Sequence, residues 1–217
     1  SKLFGFELMS NFKVPYFSRN IGEFWRRWHI SLSTWFRDYL YIPLGGSKEG
    51  KWKSLRNVFI IFLVSGFWHG ANWTFIVWGL FHSILFIPSF VFKNNRKYVS
   101  SVIAENSFMP SLKELFQVLI TFLLVTIGWV FFRSETIGDS FNYLNFMFTS
   151  FNINSIPVKG LFYIIILLFF DFVFKNDSRN IFENLSTRQK HLTTMLFFIM
   201  ICVHLSNNKP DFIYFQF

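Results

Sequence analysis

The chain has 217 residues, of which 52% are hydrophobic, 23% aromatic and only 15% charged, with 34 phenylalanines. Soluble domains carry about 25% charged residues, and a soluble core of this size has no room for so many aromatics, so the composition excludes an ordinary soluble domain and points to an all-α polytopic membrane protein. The net charge of +9 does not mark a nucleic-acid binder, because the basic residues flank apolar runs, as cytoplasmic membrane loops do.

The first residue is Ser1, not Met, and we expect the C-terminal part of a longer protein. Lys2 to Ser18 lacks the apolar core of a signal peptide. Asn20 to Ile42 reads as one helix at the membrane interface. Asn20 with Glu23 predicts a capping box. Phe24, Trp28, Leu32, Trp35, Phe36 and Leu40 recur at helical spacing, while Arg26, Arg27, Ser31, Thr34 and Arg37 mark the more polar side. Pro43 and Gly45-Gly46 stop the helix. His29 lies within it, as either an interfacial histidine bonded to a carbonyl or headgroup, or an imidazole that accepts a proton.

Asn57 to Phe92 is a run of 36 residues without Asp, Glu, Lys or Arg. As one straight helix it would cover about 54 Å, nearly twice the hydrocarbon core. Breaks are expected at Gly66 or at Gly70-Ala71-Asn72, giving a broken or re-entrant hairpin. Lys48, Lys51, Lys53 and Arg56 precede the run, and Lys93, Arg96, Lys97 and Lys113 follow it. A hairpin puts both sets on one side, as the positive-inside rule prefers. His69, inside Trp68-His69-Gly70, then sits part-way into the membrane. An imidazole at that depth is costly unless it has a function, and irregular backbone there must line protein or a wet cavity.

Leu115 to Phe132 reads as a span. Arg133 to Gly160 carries only two basic residues and suits an outer loop. Residues 161–174 and 192–205 are expected to cross again. Asp171 interrupts the former, as a helix-packing or interfacial residue rather than a relay. His191 is placed at a membrane edge, and His204 has no assigned role. Cys202 has no partner for an intrachain disulfide. No Cys/His cluster has metal-ligand spacing, so no metal is expected. Gly45-Gly46 is a turn, not a phosphate loop.

Several segments together carry a resemblance. They are Phe24-Trp25-Arg26-Arg27-Trp28-His29-Ile30-Ser31-Leu32-Ser33, Trp35-Phe36-Arg37-Asp38-Tyr39-Leu40-Tyr41-Ile42-Pro43-Leu44-Gly45-Gly46, Arg56-Asn57, Gly66-Phe67-Trp68-His69-Gly70-Ala71, and Trp78-Gly79 to His82. Phe212 to Phe217 adds to them. Over residues 11 to 85 the chain closely resembles the membrane-bound O-acyltransferase family, in the bacterial branch that acetylates alginate and other exopolysaccharides. The resemblance implies that residues 1–217 are the C-terminal part of one membrane domain. His69 matches the family's active-site histidine and His29 its second signature histidine. It implies an acyl thioester donor, often acetyl-CoA, and no bound cofactor. It also implies an extracytoplasmic polysaccharide acceptor, or a periplasmic or surface partner with a Ser-His-Asp site that acetylates it. The setting would be membrane lipid, in a multi-pass protein of the bacterial cytoplasmic membrane.

Acyl transfer needs a base, binding of both substrates and stabilisation of an oxyanion. His69 is the expected base. His29 would orient the acceptor, relay a proton or polarise the thioester carbonyl. Asn72, three residues after His69, is a donor if the chain stays helical there. Arg37 and Asp38 form a structural pair or help to bind the donor. His82 lines the same cavity or makes an interhelical hydrogen bond. The basic loop of Lys48, Lys51, Lys53 and Arg56 is a topology signal and lipid contact before it is a coenzyme A site. Three other readings stay open: D-alanyl transfer to teichoic acid, a transporter that uses His69 as an intramembrane site, and a scaffold of a polysaccharide export complex.

Overall fold

The computed structural model describes residues 4–105, 107, 109–150, 158–176 and 185–204, and among them every regular element is helical. The closing Phe212 to Phe217 and the side chain of His204 lie outside the described residues.

Helix α1 (Ile21–Arg27) starts where Asn20 Oδ1 accepts the Glu23 N–H at 2.8 Å. Only that half of the expected capping box forms. The Glu23 carboxylate turns instead to the Arg19 backbone N–H at 2.7 Å and to the guanidinium groups of Arg19 and Arg27.

The helix expected over 20–42 is broken. Trp28 is extended, and His29 sits in the left-handed region at φ 47°. Helix α2 (Ile30–Phe36) then starts with no cap from the His29 side chain. Its first N–H groups are satisfied from a distance: Ile30 donates to Asn11 O at 2.9 Å and Ser31 to Asn11 Oδ1 at 3.0 Å. A wide π turn, Arg37–Tyr41, leads out of α2. The Asn57 side chain pins the following Gly45-Gly46 turn by donating to Leu44 O at 3.0 Å and Gly46 O at 3.3 Å.

Helix α3 (Lys51–His69) and helix α4 (Trp73–Val91) form the expected hairpin, and its break falls at Gly70–Asn72. Gly66 is no break, because α3 runs through it. Its role is close approach: a Cβ there would stand 2.3 Å from Phe75 O, and one on Gly79 would stand 2.3 Å from Phe62 O. The two glycines let the helices cross backbone to backbone. We predict that Gly66→Ala forces them apart and lowers stability by about 1–3 kcal/mol, as overpacking does; thermal unfolding in detergent measures it.

Helix α5 (Leu112–Arg133) opens with a complete capping box between Ser111 and Glu114. The segment expected as an outer loop holds a further helix, α6 (Ile137–Thr149), capped by Thr136 accepting the Asp139 N–H at 3.1 Å. Helix α7 (Val158–Val173) starts three residues before the expected 161–174 and ends one short of it, with Asp171 half-buried within it. Helix α8 (Thr187–His204) belongs to a separate unit, Asp177–Phe217.

Among the described residues two helices, α4 and α5, are long and apolar enough to cross a membrane. Helix α1 lies over them, burying Ile21 and Phe24 against Val125 with Trp25, Trp28, Leu85 and Trp129 around. This packing brings the break at His29 to the hairpin.

Candidate functional site

A cavity of about 340 Å³ opens between α1, the break, the hairpin and α5. The α3 residues on its wall are Val58, Ile61, Phe62, Ser65 and His69, one face of the helix at spacings of three and four. Trp25, Arg26, Trp28 and His29 come from α1 and the break. Leu32, Ser33, Phe36, Arg37 and Tyr41 come from α2 and the π turn. Trp78 and Phe86 of α4 and Trp129 and Phe132 of α5 complete it. His29 and His69, 40 positions apart in sequence, therefore share one cavity. The left-handed turn makes this possible, because it lets the chain change direction at His29 itself.

His69 is the last residue of α3 and is half-buried. Phe132 at 4.9 Å and Trp78 at 5.4 Å hold its ring edge-on, and Phe75 lies tilted to it at 6.1 Å between centroids. His29 keeps its side chain out of the capping of α2, and its buried Nδ1 has no hydrogen-bond partner among the described residues. Both imidazoles are thus available to a substrate. We predict that His29→Asn, which tolerates positive φ, leaves the fold intact. His29→Val should cost about 1–3 kcal/mol more, because a branched Cβ is strained there. Comparing the two unfolding midpoints checks this.

The other expected site residues divide. Arg37 lines the cavity and is bidentate to Asp38, at 2.7 and 3.2 Å. Asp38 is not on the wall, and its hydrogen bond from Arg37 holds its carboxyl below the usual carboxylate range. Asn72 is not in a continuing helix. It caps α4 by accepting the Thr74 N–H at 3.0 Å, and its amide donates to Glu135 O at 2.9 Å, so the side chain is structural.

His82 is the fully buried histidine, at 0% exposure, and it is off the cavity wall. The interhelical hydrogen bond does not form: neither ring nitrogen has a partner among the described residues. Its ring stands instead among Trp25 at 4.9 Å, Trp78 at 5.2 Å and Phe62, against Gly128, where a Cβ would stand 2.4 Å from Nε2. None of the basic-loop residues lines the cavity. Lys53 pairs with Glu49 at 2.7 Å, drawing the Glu49 carboxyl down, and Arg56 donates to Asn57 Oδ1 at 3.0 Å. His191 is exposed. Among the described residues no group of three His, Cys, Asp or Glu side chains is arranged to hold a metal.

Sequence reasoning missed Arg26, Ser65, Tyr41 and Trp78 as wall residues. Ser65 was findable, since it lies one helical turn before His69. Tyr41 reaches the wall only past the break at His29, while Arg26 and Trp78 line it through the packing of α1 against α4, which sequence spacing does not give. Chemically, the wall offers two imidazoles, hydroxyls at Ser33, Ser65 and Tyr41, two guanidinium groups and an aromatic lining, with no carboxylate among the described residues.

Residues 3–104 match the family model described as MBOAT, membrane-bound O-acyltransferase family. A probable alginate O-acetylase, AlgI, of Pseudomonas syringae pv. tomato is 51% identical over 136 residues, which is 62% of this chain and 24% of that protein. A peptidoglycan O-acetyltransferase of Helicobacter pylori is 41% identical over 144 residues, 66% of this chain and 26% of that protein. A teichoic acid D-alanyltransferase of Bacillus subtilis is 34% identical over 145 residues, covering 62% and 35%. The chain spans about a quarter of the length of the alginate and peptidoglycan relatives.

Proposed function

We propose, from the premise that this chain belongs through residues 3–104 to the membrane-bound O-acyltransferase family, that it carries the acyl-transfer centre of a membrane O-acetyltransferase with His69 as base. The observation that carries this reading is the meeting of His29 and His69 in one aromatic-walled cavity. His69 takes the proton of an acceptor hydroxyl as its oxygen attacks the thioester carbonyl. The tetrahedral intermediate collapses with loss of thiolate, which takes up the proton that His69 received. His29 orients the acceptor or polarises the carbonyl. The apolar wall keeps bulk water from the thioester.

The protein sits in the bacterial cytoplasmic membrane as a multi-pass protein. Helices α4 and α5 support this by length and apolarity, and α5 turns Leu112, Phe116, Leu119 and Leu123 outward. The donor is acetyl-CoA or another acyl thioester on the cytoplasmic side. The acceptor is an extracytoplasmic polysaccharide, or a periplasmic or surface partner that acetylates it. The likeness to a teichoic acid D-alanyltransferase favours a second reading, D-alanyl transfer. Growing a deletion strain complemented with the full-length protein and analysing its purified glycans decides between them. Restored ester-linked acetate is the expected result. Restored D-alanine ester would select the second reading, and restoration of neither would overturn both.

A further inference from the structure

Three arginines lie on or beside α1, and two of them are spent. Arg19 donates to both Glu23 oxygens, to Glu114 at 3.1 Å, and to the carbonyls of Ser101 and Val102. Arg27 donates to Glu23 at 2.8 Å and to the carbonyls of Ser101 and Lys13. Arg26 is different. One Nη donates to the Asn95 carbonyl, while Nη2 is buried and has no hydrogen-bond partner among the described residues. Arg26 is on the cavity wall, where the only other guanidinium, Arg37, is already bidentate to Asp38. No Asp or Glu among the described residues lines that wall. The nearest carboxylate, Glu23, acts on Arg26 only through space, its oxygens being taken by Arg19 and Arg27, and a part-buried guanidinium with an unused N–H is costly unless an anion completes it. Its planar fork is suited to phosphate.

Position decides which anion. Arg26 is anchored to Asn95, beyond the C-terminal end of α4, and the exposed Lys93, Arg96 and Lys97 flank it. His69 meets α4 near its other end, at Trp78. From Trp78 to Val91 is about 20 Å of helix, and the wall runs about 16 Å along α3 from Val58 to His69. The bond to Asn95 thus holds Arg26 toward the end of α4 opposite the one that His69 meets. The separation fits a ligand with a charge at one end and a reactive thioester at the other.

We propose that Arg26 anchors the acyl donor by binding the phosphate of a phosphopantetheine arm, with the thioester reaching His69 at the opposite end of the cavity. This rests on the acyl-transfer reading above. Coenzyme A and an acyl-carrier protein both present that arm, and Arg26 serves either.

The test is calorimetric titration of the full-length protein in detergent with 4′-phosphopantetheine, pantetheine and coenzyme A, for the wild type, Arg26→Gln and Arg26→Lys. The wild type should bind 4′-phosphopantetheine about tenfold to a hundredfold more tightly than pantetheine, the scale of a charge-assisted hydrogen bond. Arg26→Gln should erase that ratio while pantetheine binds as before, which also shows that the variant is folded. Arg26→Lys should recover part of it. Coenzyme A binding more tightly than 4′-phosphopantetheine would support the proposal with the nucleotide donor, and equal binding would support it with the carrier. A ratio near one in the wild type, or a ratio unmoved by Arg26→Gln, would overturn it. Acetyl transfer measured alongside separates the two claims. Transfer without phosphate preference fails the anchor alone, and phosphate preference without transfer fails the acyl-transfer reading alone.

Discussion

His69→Ala in the full-length protein should lower acyl transfer by about 10²–10⁴-fold, the range that a positioned general base contributes. Three contacts make the effect specific. The ring is held edge-on by Phe132 and Trp78, it ends α3 at the turn, and it shares its cavity with His29. The substitution removes an imidazole that is only half-buried, so protein abundance in the membrane should stay close to wild type. Ester-linked acetate on the purified glycan, normalised to protein level, is the measurement. Acetate at the wild-type level would remove His69 from the chemistry and leave a transporter or scaffold in front.

Glu23→Ala should be the most destabilising single change in the described part of the chain. The carboxylate is at 0% exposure and accepts from Arg19 and Arg27 at 3.0 and 2.8 Å and from the Arg19 backbone at 2.7 Å. Removing it leaves the nearly buried Arg27 guanidinium without an ion pair and Arg19 with Glu114 alone. Breaking a buried pair in this way costs about 3–5 kcal/mol. The Arg19 side chain also ties Val102 and Ser101 to α1, so the loop after α4 should loosen with it. Loss of detergent-stable protein, with early proteolysis near residues 94–104, is the expected outcome. A variant that accumulates and unfolds like the wild type would show that the network carries little net stability.

The hairpin was legible in the sequence. The uncharged run from Asn57 to Phe92 was too long for one span, and Gly70-Ala71-Asn72 is turn chemistry. The long apolar helix α5 was legible for the same reason: hydropathy and length are local properties. Gly66 misled, since a glycine in an apolar run can be a break or a contact, and only the partner helix decides. The break at His29 was invisible. The apolar spacing from Phe24 to Leu40 continues through it, and the residue that caps α2 is Asn11. The same limit explains Asn72 and His82. Each was assigned from its distance along the chain to His69 or Trp78, while its surroundings depend on Glu135 and Gly128.

The left-handed residue at position 29 has a consequence for how the protein folds. Over residues 20–42 the local pattern prescribes a single continuous helix, and the native state contradicts it at one point. Such disagreement between local preference and final structure is frustration, which minimally frustrated sequences otherwise avoid. Here its resolution depends on Asn11 and Lys13 docking against the break, with Lys13 N–H bonded to Arg27 O at 2.9 Å. The cavity therefore cannot take its final shape when α1 and α2 first form. Its shape depends on the preceding segment docking against the break, which ties the site to residues that line no part of it.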